Sequence, residues 1–86
     1  MSLKKVHDEQ PNSFEFSKAN LEIASNILKK YPDDRKKSAV MPFLYLAQRQ
    51  NNNWIPLAAM KYIANYLNMP YIKVYEVATF YTMYNL

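Results

Sequence analysis

The run WIPLAAMKYIANYLNMP, residues 54–70, carries a helix together with its start and stop signals. Pro56 suits the first helical position, where its missing N–H costs nothing and its fixed φ is already helical. Met60, Ile63, Ala64 and Leu67 then recur at intervals of three and four, which draws one apolar stripe along a helix. Asn68 follows the last of them and suits the left-handed residue that glycine usually supplies after a helix. Pro70 cannot continue the element, because its ring would clash with the preceding turn. The spacing predicts a helix over 56–68, with Met60, Ile63, Ala64 and Leu67 in a core.

Upstream, SAVMPFLYLAQRQ at 38–50 repeats the pattern with Val40, Phe43, Leu44 and Ala47. The second helix is expected over 34–51, capped by Asp33 or Asp34. Pro42 would then lie about two turns inside it, removing a hydrogen bond and kinking it. A later start, with Ser38 as N-cap, is the alternative. Further upstream, Ser17 is placed to accept from a free first-turn N–H. Leu21, Ala24, Ile27, Leu28 and Tyr31 mark the inward face of a first helix over 17–30, with Leu21, Ala24 and Leu28 in the core. Phe16 and Leu21 are spaced for a hydrophobic staple across the cap, and Pro32 stops the helix.

Downstream, Pro70 opens a fourth helix, expected over 70–84. YIKVYEVATFYTMYNL is apolar or aromatic on every side. A helix of that kind is covered on every side. The segment lacks the clean two-residue alternation of a strand. The fold class is therefore all-α: a small bundle of four helices over 14–86, in orthogonal or up-down packing, after a flexible polar lead at 1–13.

Composition removes most chemistry. Eighty-six residues make one domain at most, and a chain this short buries only about 60–65% of its unfolded surface. There is no cysteine, so disulfides, thiolate metal sites and a cysteine nucleophile are excluded. There is no glycine, so phosphate-cradling loops and dinucleotide fingerprints are excluded as well. The single histidine, His7, stands in the polar lead beside Asp8 and Glu9, a tail residue and not a metal ligand or base. Glu76 is the one acid in the aromatic segment, which leaves no carboxylate pair for acid–base work. No catalytic, cofactor-binding or metal-binding residue is expected in this chain.

Eleven basic against seven acidic residues give +4, and nine of the eleven are lysines. They read as solvated helix ends that complement the dipole. Two consecutive helices with a tight link could form a helix–turn–helix, yet the second would offer DNA only Lys73 against Glu76. Nucleic acid is not an expected partner. No run approaches the ~20 apolar residues of a membrane span, so direct insertion is not expected. The first residues have neither the apolar core of a secretory signal nor the acid-poor character of a transit peptide. The expectation is an intracellular, soluble protein.

Tyrosine-rich, charge-poor composition is that of interface centres. The surplus apolar surface of the fourth helix makes Tyr75, Glu76, Phe80, Tyr81 and Tyr84 the candidate partner-docking residues. In isolation the same surface would pair two copies as a homodimer.

SAVMPFLYLAQRQ, WIPLAAMKYIANYLNMP and VYEVATFYTMY at 74–84 together give this pattern a family. Over residues 14–86 the chain resembles the thioredoxin-like [2Fe-2S] subunit of respiratory NADH:quinone oxidoreductase (complex I). The resemblance implies an N-terminal helical bundle that packs on a following [2Fe-2S] domain and helps hold the flavin/NADH-binding subunit. It implies a cluster in the complete protein, with FMN and NADH on the neighbouring subunit. It also implies a place on the cytoplasmic side of a bacterial inner membrane, or on the matrix side of a mitochondrial one. Similar subunits serve NAD-linked hydrogenases and formate dehydrogenases. Family members continue past the position of Leu86 to four cluster-ligating cysteines, so no cluster role passes to any residue here. Asn51-Asn52-Asn53 also departs from the family, where a short glycine-containing turn is usual.

Overall fold

The computed structural model describes residues 6–31, 38–81 and 83–86. Among the described residues four helices follow one another: α1 Lys18–Lys29, α2 Val40–Gln50, α3 Leu57–Tyr66 and α4 Tyr71–Phe80. The described residues contain no strand. The molecule measures 34 × 29 × 20 Å. Helices α2, α3 and α4 all pack on one another around the core, while α1 touches only α2 among the helices.

α1 starts where the sequence places it. The Ser17 hydroxyl accepts from the Asn20 N–H at 3.2 Å, satisfying one of the donors that a helix start leaves free. Gln50, from the end of α2, completes the cap. Its Oε1 accepts from the Ser17 N–H at 2.9 Å and the Asn20 side chain at 2.8 Å, and its Nε2 donates to the Glu15 carbonyl. This rotates the buried face of α1. Ala24 is buried and Ile27, Leu28 and Tyr31 are partly buried against the core, but Leu21 is 39% exposed. Leu21 is thus a surface residue and not a core or staple residue. A helix with a single helical neighbour buries a narrower stripe than its pattern suggests.

α2 begins at Val40, after 3₁₀ residues Ser38 and Ala39. The earlier part of the expected helix, with its aspartate cap, falls at 32–37, outside the described residues. Ser38 is not the N-cap either; Ala39 is, with no side-chain bond. Pro42 is then the third helical residue. Its missing N–H falls among the first-turn groups that have no intrahelical partner, so it costs no hydrogen bond.

α3 and α4 each begin one residue after their proline. Pro56 (ψ 156°) and Pro70 (ψ 139°) are extended N-caps, not first helical residues. At the end of α3, Asn68 takes φ 53°, while Met69 N–H reaches Ala64 O at 2.9 Å and Asn68 N–H reaches Asn65 O at 3.2 Å. Those two bonds define a Schellman cap built on asparagine. After α2, Asn52 and Asn53 have φ of 53° and 73°. Asparagine is the non-glycine residue that tolerates this region most readily, which is how a chain without glycine turns here.

α4 stops at Phe80, short of 84. Tyr81 is extended at φ −91°, ψ 130°. Val74 and Ala78 are buried, and Tyr71, Tyr75 and Val77 pack on the core partly covered. Ile72, Lys73, Glu76 and Phe80 form an exposed outer face, so the helix is not covered on every side.

Of the other residues expected inside, Val40, Phe43, Leu44, Ala47, Met60, Ile63, Ala64 and Leu67 are all buried. Phe16, Ile55, Val74, Tyr84 and Leu86 join them. Phe16 packs edge-on against Phe43 at 5.7 Å and Tyr62 at 5.1 Å, tying the segment before α1 to α2 and α3. Geometry of that kind adds to simple burial.

Candidate docking site

The candidate docking residues divide once folded. Tyr75 is partly buried, its ring 6.0 Å from that of Tyr71. Glu76 is exposed, with Lys73 Nζ at 3.9 Å; an open pair of this kind contributes little to stability. Phe80 is 66% exposed, and Tyr81, also exposed, meets its ring edge-on at 5.2 Å. Tyr84 is 1% exposed and belongs to the core, not to the surface. Its hydroxyl donates to the Met41 carbonyl at 3.1 Å, and its ring packs edge-on against Tyr45 at 5.6 Å. Burial pushes the Tyr84 phenol up to about 12, with Tyr45 and Tyr81 adding to the rise. Burial also raises Tyr62 and Tyr71.

Tyr84 turns inward because the helix ends at Phe80: Tyr81 is extended, and the Tyr84 N–H closes a turn onto the Tyr81 carbonyl at 3.4 Å. After that turn Tyr84 and Leu86 are buried while Met83 and Asn85 are exposed. The sequence reading missed Tyr45 and Met83, both exposed, with the Tyr45 hydroxyl 3.6 Å from the Met83 sulfur. Tyr45 lies off the Val40–Phe43–Leu44–Ala47 stripe, and a large aromatic on the wrong side of an amphipathic helix was the available signal. Phe80, Tyr81, Met83 and Tyr45 thus form one apolar patch where α4 ends, drawn from α4, the tail and α2.

Around the start of α3 the other end of the chain closes in. His7, exposed, stacks on Trp54 with ring centroids 3.9 Å apart. Gln10 Oε1 accepts from the Leu57 N–H at 3.0 Å, supplying the cap that Pro56 cannot.

Among the described residues, no three His, Cys, Asp or Glu side chains come together to hold a metal. No helix among the described residues is long and apolar enough to cross a membrane. The arrangement defines a class: a small all-α bundle, with Phe80, Tyr81, Met83 and Tyr45 exposed around the end of α4 and Leu21, Ile23 and Ile72 exposed elsewhere.

Residues 24–86 match the model of the thioredoxin-like [2Fe-2S] ferredoxin family, and the chain belongs to that family. It is similar to the NADH-quinone oxidoreductase E subunit of Rickettsia bellii, 58% identical over 74 residues, and to that of Rickettsia conorii, 60% identical over the same length. Each of those matches covers 86% of this chain and 44% of the relative. The chain therefore spans under half the length of the relatives it matches. A [2Fe-2S] cluster of the ferredoxin type needs cysteine thiolates, and this chain has none. Its residues do not fit the cluster.

Proposed function

We propose that this chain is the N-terminal helical docking part of the [2Fe-2S] electron-transfer subunit of an NADH:quinone oxidoreductase, and that it holds that subunit beside the flavin- and NADH-binding subunit. The cluster's ligands belong to a thioredoxin-like part of the subunit beyond the span described here. FMN and NADH belong to the neighbour. The contribution of the helices is rigid placement, with the assembly on the cytoplasmic face of a bacterial membrane or the matrix face of a mitochondrial one.

The observation that carries this reading is the exposure of Phe80, Tyr81, Met83 and Tyr45, three aromatic rings and a methionine, around the end of α4. Aromatic residues and methionine without charge are what interface centres are made of. The names of the relatives support that assembly, and favour the respiratory enzyme over a hydrogenase or formate dehydrogenase. A DNA-binding role gains nothing from the outer face of α4, where Lys73 is paired with Glu76.

Co-expression with the flavin-binding subunit tests the proposal. The native chain should co-purify with it, Phe80→Glu should not, and Ile23→Glu on the far helix α1 should behave as native. Failure of the native chain to co-purify, or equal capture of all three, would contradict it.

A further inference from the structure

We infer that Gln48 is a positioning residue: its amide grips the backbone on both sides of Tyr84, and that register assembles the apolar patch. The consequence for the patch rests on the docking role proposed above; the grip itself does not. Gln48 is 4% exposed and is the one buried polar side chain among the described residues. Its Nε2 donates to the Met83 carbonyl at 3.2 Å, and its Oε1 accepts from the Asn85 N–H at 2.6 Å.

A donor for the carbonyl of one residue and an acceptor for the N–H two residues on are what a neighbouring parallel strand would offer. Here one glutamine on a helix offers both. No apolar residue of that size could, and Met83 O and Asn85 N–H would then have to find other partners. The far edge of the tail is held as well, since Ile55 N–H donates to Asn85 O at 2.7 Å and Asn85 Nδ2 donates to Asn53 O at 2.9 Å. Those contacts hold Asn85 alone; Gln48 sets the spacing across Tyr84. With that spacing fixed, Tyr84 and Leu86 fall inward and Met83 falls beside Tyr45. A slip of one residue would exchange the two sets and dismantle the patch.

The test uses the full chain and reads two things: protection of the Asn85 amide from hydrogen exchange, and capture by the purified flavin-binding subunit. Gln48→Leu should lower Asn85 protection about tenfold or more and weaken capture. Gln48→Glu gives a readout that space-filling alone would not. A protonated carboxyl has one donor and one acceptor, as the amide does, whereas an ionised one only accepts and faces the Met83 carbonyl. That variant should hold the tail at about pH 4 and release it at about pH 8, with native protein compared at both. Unchanged Asn85 protection in Gln48→Leu, or a pH-independent tail in Gln48→Glu, would overturn the inference. If Gln48→Leu does not fold, native protein still decides: Gln48 side-chain amide protons exchanging as fast as a free amide would overturn it too. A loosened tail with undiminished capture would break the link from register to patch; the docking role would still stand or fall on Phe80→Glu.

Discussion

Leu21 and Leu67 sit on similar apolar stripes, and the same substitution at each should have very different costs. Leu67 is 4% exposed at the end of α3, while Leu21 is 39% exposed on α1. Leu67→Ala removes three buried carbons, worth about 2.4 kcal/mol at ~0.8 kcal/mol each. The cavity left behind raises the expected loss to about 2.5–5 kcal/mol. Leu21→Ala removes carbons that already meet water, and alanine's better helix propensity offsets part of the loss, leaving under about 1 kcal/mol. Lys61→Ala on the exposed side of α3 gives the baseline, under about 0.5 kcal/mol. The two leucine variants should therefore differ by about 1.5 kcal/mol or more, which in a domain of this size separates Tm by about 6 °C or more. Urea and thermal midpoints against native protein would measure it. Equal midpoints for the two leucine variants would refute an α1 that turns Leu21 to solvent.

Other consequences are as direct. The patch should pair isolated chains as a C2 dimer at about hundreds of micromolar, and Phe80→Glu should return them to monomer by sedimentation. Asn68→Ala should cost about 1 kcal/mol in urea midpoint, because φ is positive there, while Asn68→Gly should be neutral or mildly stabilising. Tyr84, held at about 12 by burial, keeps its proton in the folded state at pH values where the unfolded chain loses it. Its contribution is complete below about pH 10 and falls away between about pH 10 and 12, each tenfold difference in proton affinity being worth about 1.4 kcal/mol. Tyr84→Phe should flatten that part of the stability profile while losing the Met41 hydrogen bond.

Helix existence was legible because each stripe is bounded by residues with one local meaning. Ser17 caps, Asn68 turns left-handed, and Pro56 and Pro70 stand at helix starts, so α1, α3 and the beginning of α4 lay within a residue or so of expectation. The errors came where a distant residue decides. Nothing local to α1 says that Gln50 will draw Asn20 inward and leave Leu21 outside. Nothing local to Tyr81 says that Gln48 and Ile55 will take the backbone of 83–85 out of the helix. The docking residues suffered accordingly. Phe80 is exposed at the last turn of the helix, but Tyr84 would face outward only if the helix continued. Tyr45 and Met83 meet 38 positions apart, across a long-range pairing that periodicity does not encode. Gln10 capping α3 from 47 positions away is invisible for the same reason.

The central claim is that the end of α4 is where this chain meets its partner. Titrating labelled chain with the flavin-binding subunit, and following backbone amides by NMR, tests it most directly. Perturbation should concentrate at Tyr45, Phe80, Tyr81 and Met83 and leave Leu21 and Ile23 untouched. Binding that perturbs α1 while the Phe80–Met83 region stays as it was would contradict the account.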